Sequence, residues 1–336
     1  MSNRVFLLGA GFSKDAGFPL ANELICFIQN HLNTSMNTRD IDFKKEFSDF
    51  LNGIHPSLFL NVELFLTYID LALLNSSVGI FTRSASAEDL RLFRRKLSGA
   101  LVRAFDKAHL ELKGRFSNRN VFLKFCEQLK DGDSIITFNY DLVVEQELWL
   151  QRKWTFLDGY GFEKDINDFQ AEWGGTYPID LLTKSPIKIY KLHGSLGWVY
   201  DDSSGQIIYI GMPNYFDGRL LYCEKNKVAG AEWDEGTTFI EPSYIKQFNC
   251  TPILDIWEKA FKIVQQSSEL IVIGYSLPEA DAAAQAFLSS GIRSSQITST
   301  TVVDLSPLVF DKLEILFKRK VDRKKMTFRH CIENET

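Results

Sequence analysis

Short apolar runs alternate with amphipathic stretches along most of this chain. Val5–Leu8, Ser134–Phe138, Ile187–Leu192, Leu270–Ile273 and Thr301–Asp304 are brief and continuously apolar or β-branched. Such runs suit strands covered on both faces. Helical patterns lie between them. Leu20, Leu24, Ile25, Phe27, Ile28 and Leu32 recur at the helical period, with Pro19 at the opening. Further helices are predicted over Asn118–Lys130, Pro252–Gln266 and Pro307–Arg319. The alternation predicts an α/β fold, a Rossmann-like parallel sheet with helices on both faces.

Residues 36–117 break this rhythm. Phe43–Leu51, Val62–Leu74 and Ala87–Leu112 read as helices, with Gly99 a kink or cap in the third, and no strand pattern stands between them. An all-helical insertion is therefore expected at 36–117. Residues 1–35 together with 118–330 would form the nucleotide-binding unit. Trp154–Pro186 is irregular, and the glycine-rich Val199–Glu241 reads as hairpins and loops.

Composition narrows the classes. The chain has 336 residues, 45% of them apolar and 27 of them Phe, enough for a large core. A net charge of −5 argues against a general nucleic-acid or membrane-surface binder. The basic runs Arg91–Lys96 and Lys318–Lys325 read as solvated helix faces or tail. Five scattered cysteines lack the C-x-x-C spacing of a zinc site and suggest reduced thiols in a cytosol. No signal peptide or membrane-spanning run is evident, so a cytoplasmic protein is expected.

The candidate chemistry sits where the strands end. Val5–Leu8 runs into Gly9-Ala10-Gly11-Phe12-Ser13, then Lys14-Asp15-Ala16-Gly17-Phe18-Pro19. Glycines there allow a sharp turn and close approach of a ligand, and a following helix offers N–H groups to an anion. This reads as a dinucleotide phosphate site, against the alternative of a bare tight turn. The spacing is not G-x-G-x-x-G, and His31 stands where a ribose-binding acid would be expected. Hydride transfer is thereby disfavoured. Thr137-Phe138-Asn139-Tyr140-Asp141 follows the second strand. Asn139 can hold a ribose hydroxyl or a water, and Asp141 either caps the next helix or meets the ligand. His193, in Lys191-Leu192-His193-Gly194-Ser195, follows the third strand and suits a general base. His31 and His55 read as surface or helix-end residues, His109 as part of a helix pattern, and His330 as near the tail. Gly274, Tyr275 and Ser276 follow the fourth strand, with Asp281 read first as a helix cap. Asp304 ends the last strand and either caps a helix or holds a ribose.

The ordered set Gly-Ala-Gly-Phe-Ser…Gly-Phe-Pro, Thr-Phe-Asn-Tyr-Asp, His-Gly-Ser and Gly-Tyr-Ser-Leu-Pro resembles the sirtuin-like superfamily. In particular it resembles the bacterial sirtuin-like NAD hydrolases of anti-phage defence. The resemblance covers most of residues 3–35, 118–200 and 238–320. It implies Asn139 and His193 as the catalytic pair. It implies that the glycine loop holds the NAD pyrophosphate; with the strand-end readings above, the expected NAD contacts are Gly9, Ala10, Gly11, Phe12, Ser13, Asp15, Gly17, Phe18, Pro19, Asp141, Gly274, Tyr275, Ser276 and Asp304. Two features of deacylase sirtuins are missing: the cysteine pairs of the zinc ribbon, and Asp-Phe-Arg after Gly-x-Pro, where Leu20-Ala21-Asn22 stands. The implied activity is hydrolysis of NAD to nicotinamide and ADP-ribose, with no zinc and no cofactor beyond NAD as substrate. Control by homo-oligomerisation or by a partner ATPase or helicase is implied too. Protein deacylation or ADP-ribosyl transfer, and a non-catalytic module sensing NAD or ADP-ribose, are the alternative readings. No clustered acidic metal site supports a nuclease accessory.

Overall fold

A computed structural model describes residues 4–53, 61–74, 86–113, 116–156, 158–161, 184–201, 206–213, 220–224, 237–239, 243–245 and 251–334. Six strands form one parallel sheet: β1 (Arg4–Leu8), β2 (Ser134–Thr137), β3 (Lys188–Lys191), β8 (Glu269–Ile273), β9 (Ser299–Asp304) and β10 (Asp322–Lys325). Their order across the sheet is β10-β9-β8-β1-β2-β3. Counted along the chain, that is the doubly wound order 3-2-1-4-5-6, with its switch point between β1 and β8. The fold is α/β and Rossmann-like. β1, β2 and β3 are buried almost throughout, which is why Val5–Leu8 and the centre of β2 run apolar without alternation, whereas β3, Lys-Ile-Tyr-Lys, buries a lysine as well.

The strand at one edge departs from expectation. Lys318–Lys325, read as a helix face or tail, instead ends one helix and supplies β10. Its residues Asp-Arg-Lys-Lys pair with β9 through the backbone alone. Charged side chains blunt the outer edge against further pairing, and they erase the apolar signal that would announce a strand. Lys318, at φ 53°, terminates the preceding helix.

A second, antiparallel sheet has the order β6-β5-β4-β7, from β4 (Gly194–Asp201), β5 (Gln206–Pro213), β6 (Leu220–Glu224) and β7 (Thr237–Phe239). It supplies the hairpins expected in Val199–Glu241. The expectations for His55 and for residues 162–183 lie outside the described residues.

Among the described residues the helices are α1 (Ala10–Ser13), α2 (Leu24–Thr34), α3 (Thr38–Gly53), α4 (Val62–Leu74), α5 (Ala87–Lys113), α6 (Phe116–Gln128), α7 (Val143–Leu150), α8 (Thr251–Gln266), α9 (Ala282–Arg293), α10 (Pro307–Phe317) and α11 (Phe328–Asn334). α2 starts later than its apolar period implies, because Ala21–Glu23 forms a 3-10 turn first. α5 continues through Gly99, which therefore does not cap it. The described part of 36–117 is helical, and its buried Phe43, Phe47, Phe65 and Phe93 belong to the same apolar cluster as the sheet. Phe12, Phe122, Phe125 and Phe328 interlock beneath the sheet with centroids 4.5–5.6 Å apart.

Buried charges tie the layers together. Asp40 receives Arg103 at 2.6 Å and His31 at 2.8 Å, joining α3 to α5 and α2. Burial opposes the charge on Asp40. Hydrogen bonds from His31, Arg103 and Ser35 nevertheless hold it well below the usual carboxylate range. His31 therefore lies in the last turn of α2 but is buried, a correction to its surface reading. Lys191 of β3, 0% exposed, donates to Glu145 Oε1 of α7 at 2.8 Å and to the carbonyl of Asp141. Burial pushes the Glu145 carboxyl up, and the Lys191 charge opposes it. Glu145→Ala would strand Lys191 in the interior. We expect it to lower stability by about 3–5 kcal/mol in urea unfolding, with the Glu145→Leu, Lys191→Met double variant recovering most of the loss.

Candidate active site

The loops after β1, β2, β3, β8 and β9 meet at the carboxyl edge of the sheet. They enclose a cavity of about 720 Å³ that straddles the β1–β8 switch point. Ligands in open α/β sheets bind at that place, because strands diverging to either side leave a crevice. The α4 start and Phe105 of α5 line it as well.

The glycines first serve a backbone contact. Gly9 N–H donates to Ile273 O at 3.0 Å, and Gly11 N–H donates to Gly274 O at 2.9 Å. A Cβ on Gly9 would stand 2.5 Å from Gly274 O, and one on Gly274 would stand 2.5 Å from the Gly11 carbonyl carbon. Gly274 also has φ 61°, where a side chain is strained. The two loops can close against each other only without side chains.

This corrects part of the predicted loop. Ala10, Gly11, Ser13, Asp15, Phe18 and Pro19 line the cavity, but Gly9, Phe12 and Gly17 do not. Phe12 turns into the aromatic core at 1% exposure. Gly17, at φ 95°, ends a 3-10 turn. The amide donors expected for an anion are partly committed, since Phe12 N–H bonds Gly9 O at 2.9 Å and Gly11 N–H bonds Gly274 O. α1, moreover, is only a single turn. The polar groups this loop presents to a ligand include the Ser13 and Lys14 side chains.

Asn139 is held by that loop. Its Nδ2 donates to Gly9 O at 2.9 Å and to Ser13 Oγ at 3.2 Å. Its backbone N–H donates to Thr137 Oγ1, which in turn donates to Leu8 O. These bonds use the amide donors and leave Oδ1 as the acceptor for a ligand. Asp141 Oδ1 accepts Val143 N–H at 3.1 Å one residue ahead of the α7 capping position, Leu142, and Asp141 also lines the cavity.

His193 sits in the tight turn between β3 and β4, followed by Gly194 at φ 79°. The turn is pinned by Leu192 N–H to Thr137 O at 2.9 Å and by Trp257 Nε1–H to Leu192 O at 2.6 Å. The imidazole is 6% exposed and meets the Phe138 ring at 4.9 Å. Its Nε2 lies 3.1 Å from Asp281 Oδ2. Asp281 Oδ1 accepts Ala284 N–H at 3.3 Å, so this residue caps α9, as read, and also faces the histidine. The pairing is invisible in the sequence because 87 positions separate the partners. Leu277, at φ 52°, is a non-glycine residue in the left-handed region between Ser276 and Pro278, a local strain that the capped turn holds in place.

Gly274, Tyr275, Ser276 and Asp304 all line the cavity. Asp304 Oδ1 accepts Ser306 N–H at 2.8 Å, and burial raises its carboxyl. Burial, with the Asp281 charge adding to it, holds the Tyr140 and Tyr275 hydroxyls above the usual phenol range. Glu63, on α4, is a lining residue that carries no motif and that sequence reading missed. No group of three or more metal-ligating side chains occurs among the described residues, and none of their helices is long and apolar enough to cross a membrane. No protein-family model matches the chain, and a search of curated proteins finds no match.

His109 of α5 supports the site from behind, its Nε2 accepting Leu142 N–H at 3.2 Å. Burial lowers its pKa from 6.5 to about 4. The unfolded chain therefore takes up this proton first as pH falls, and stability is lost between pH 6.5 and about 4. The stability advantage of the wild type over His109→Gln should shrink by roughly 2 kcal/mol across this window, and a pH-independent difference in urea unfolding would contradict it. Gly274→Ala should cost at least about 2 kcal/mol in the same measurement, through strain and the clash with Gly11.

Proposed function

We propose that the protein hydrolyses NAD to nicotinamide and ADP-ribose. The observation that carries this reading is the convergence of Asn139 and the His193–Asp281 pair on one cavity at the sheet's switch point. The motif resemblance supplies the reaction, and the geometry is compatible with it.

The scissile bond joins ribose C1 to a pyridinium nitrogen. Its departure leaves oxocarbenium character on the sugar, as in other glycoside cleavages. The leaving group departs as neutral nicotinamide, so no general acid is required. Asn139 Oδ1, fixed by the bonds of its Nδ2, orients a ribose hydroxyl or the attacking water. The Asp281 carboxylate, 3.1 Å from His193 Nε2, favours a proton on that nitrogen and leaves Nδ1 unprotonated to serve as general base. Near-complete burial of the imidazole keeps bulk water from the sugar cation. Asp304 and Ser306, across the cavity, are suited to the adenosine ribose. An enzyme that consumes NAD needs restraint. Self-association or a partner ATPase or helicase, in a cytoplasmic anti-phage role, belongs to this reading.

The test is incubation with NAD, with and without an acylated peptide, while nicotinamide and ADP-ribose are quantified. We expect equimolar products without peptide. Asn139→Ala and His193→Ala should each lower turnover by about 100-fold or more. Asp281→Asn should lower kcat and shift the pH profile. Peptide-dependent turnover would identify a deacylase or transferase, and products unaffected by either substitution would refute the catalytic assignment.

A further inference from the structure

We propose that Glu63 completes this site from the helical segment, forming with Asp281 and Tyr275 a wall that takes a flat cation, the pyridinium of an oxidised nicotinamide dinucleotide. The inference rests on the NAD reading above.

Glu63 owes its place to a helix start. Asn61 Oδ1 accepts the N–H groups of Glu63 at 2.9 Å and Leu64 at 3.1 Å, which fixes the first turn of α4. Val62, Phe65, Leu66 and Ile69 bury the helix in the core. Glu63 thereby lines the cavity with Tyr140, His193, Tyr275 and Asp281. A carboxylate in a first helical turn is stabilised in its charged form. The Glu63 and Asp281 charges both act on the hydroxyls of Tyr140 and Tyr275, so the two acids address the same aromatic wall, while the Arg94 guanidinium acts in the opposite sense on Tyr140.

Tyr275 gives an independent pointer to a ligand. The side chain is 4% exposed, and its ring stacks on Phe138 with centroids 4.6 Å apart and planes at 19°. Its hydroxyl is buried against the Asp281 carboxylate with no well-directed hydrogen bond among the described residues, although the residue lines the cavity. A buried hydroxyl in that state calls for a polar group from outside the chain. A carboxamide on a pyridinium ring provides one. Aromatic faces backed by two carboxylates attract such a cation through both the ring quadrupole and net charge. The lysines lining the cavity, Lys14 and Lys312, come from the β1 loop and α10, and Lys14 is bonded to Glu23.

The test compares two dinucleotides that are not hydrolysed at a pyridinium–ribose bond. One is a carbocyclic NAD analogue, which keeps the positive ring but has no glycosidic bond to cleave. The other is NADH, whose nicotinamide ring is neutral. Calorimetric affinities are measured for the wild-type chain, Glu63→Gln and Glu63→Ala, with thermal melts confirming that each variant is folded. We expect both substitutions to weaken the cationic analogue by about tenfold or more and to leave NADH within about twofold. Equal weakening of both ligands, or of neither, would overturn the role of Glu63 while leaving the dinucleotide reading intact. Failure of the wild type to bind either ligand would overturn that reading, and this inference with it.

Discussion

Everything at the carboxyl edge of the sheet depends on one backbone contact. The loop leaving β1 and the loop leaving β8 touch through Gly9, Gly11 and Gly274, with the positions of their missing Cβ atoms filled by each other's backbone. Neighbouring parallel strands whose connections go to opposite sides would normally leave an open crevice there. Here the floor of the crevice is closed by main-chain hydrogen bonds, and the cavity forms above it. The Gly9 carbonyl, fixed by this contact, accepts from Asn139 Nδ2. The glycines thus position the candidate catalytic amide, a different role from cradling a phosphate directly.

Buried polar groups behind the cavity set the height and direction of the other side chains. Lys191 binds Glu145 and the Asp141 carbonyl, and His109 accepts from Leu142. Both constrain the turn that carries Asn139 and Asp141. Trp257 holds the Leu192 carbonyl, and with it the His193 turn. These groups have few low-energy arrangements in a dry interior, since an orphaned buried charge or donor is costly. That scarcity of alternatives makes the two loops rigid without long secondary-structure elements.

Much of the fold was legible in the chain. Five of the six parallel strands carry apolar or β-branched runs, because burial on both faces requires it, although Lys188 and Lys191 interrupt the run in β3. The helices of 36–117 follow from their spacing. The exception, β10, is charged because an edge strand needs only its backbone to pair. Of the predicted loop residues, Ala10, Gly11, Ser13, Asp15, Phe18 and Pro19 reach the cavity, while Gly9, Phe12 and Gly17 serve the fold. A motif specifies the residues of a turn and leaves open which of them point outward. Phe12 turned inward because an aromatic core of Phe122, Phe125 and Phe328 lies directly below.

By itself, the sequence determined the element types, the parallel sheet and the placing of Asn139, His193, Gly274 and Asp304 at strand ends. These follow from local periodicity and from the chain leaving each strand on the same edge. Only the tertiary structure decided that Asp281 faces His193, that His31 and His109 are buried, and that Glu63 enters the cavity. Those relations join distant segments through packing and buried charge, and neither leaves a period or a spacing in the chain.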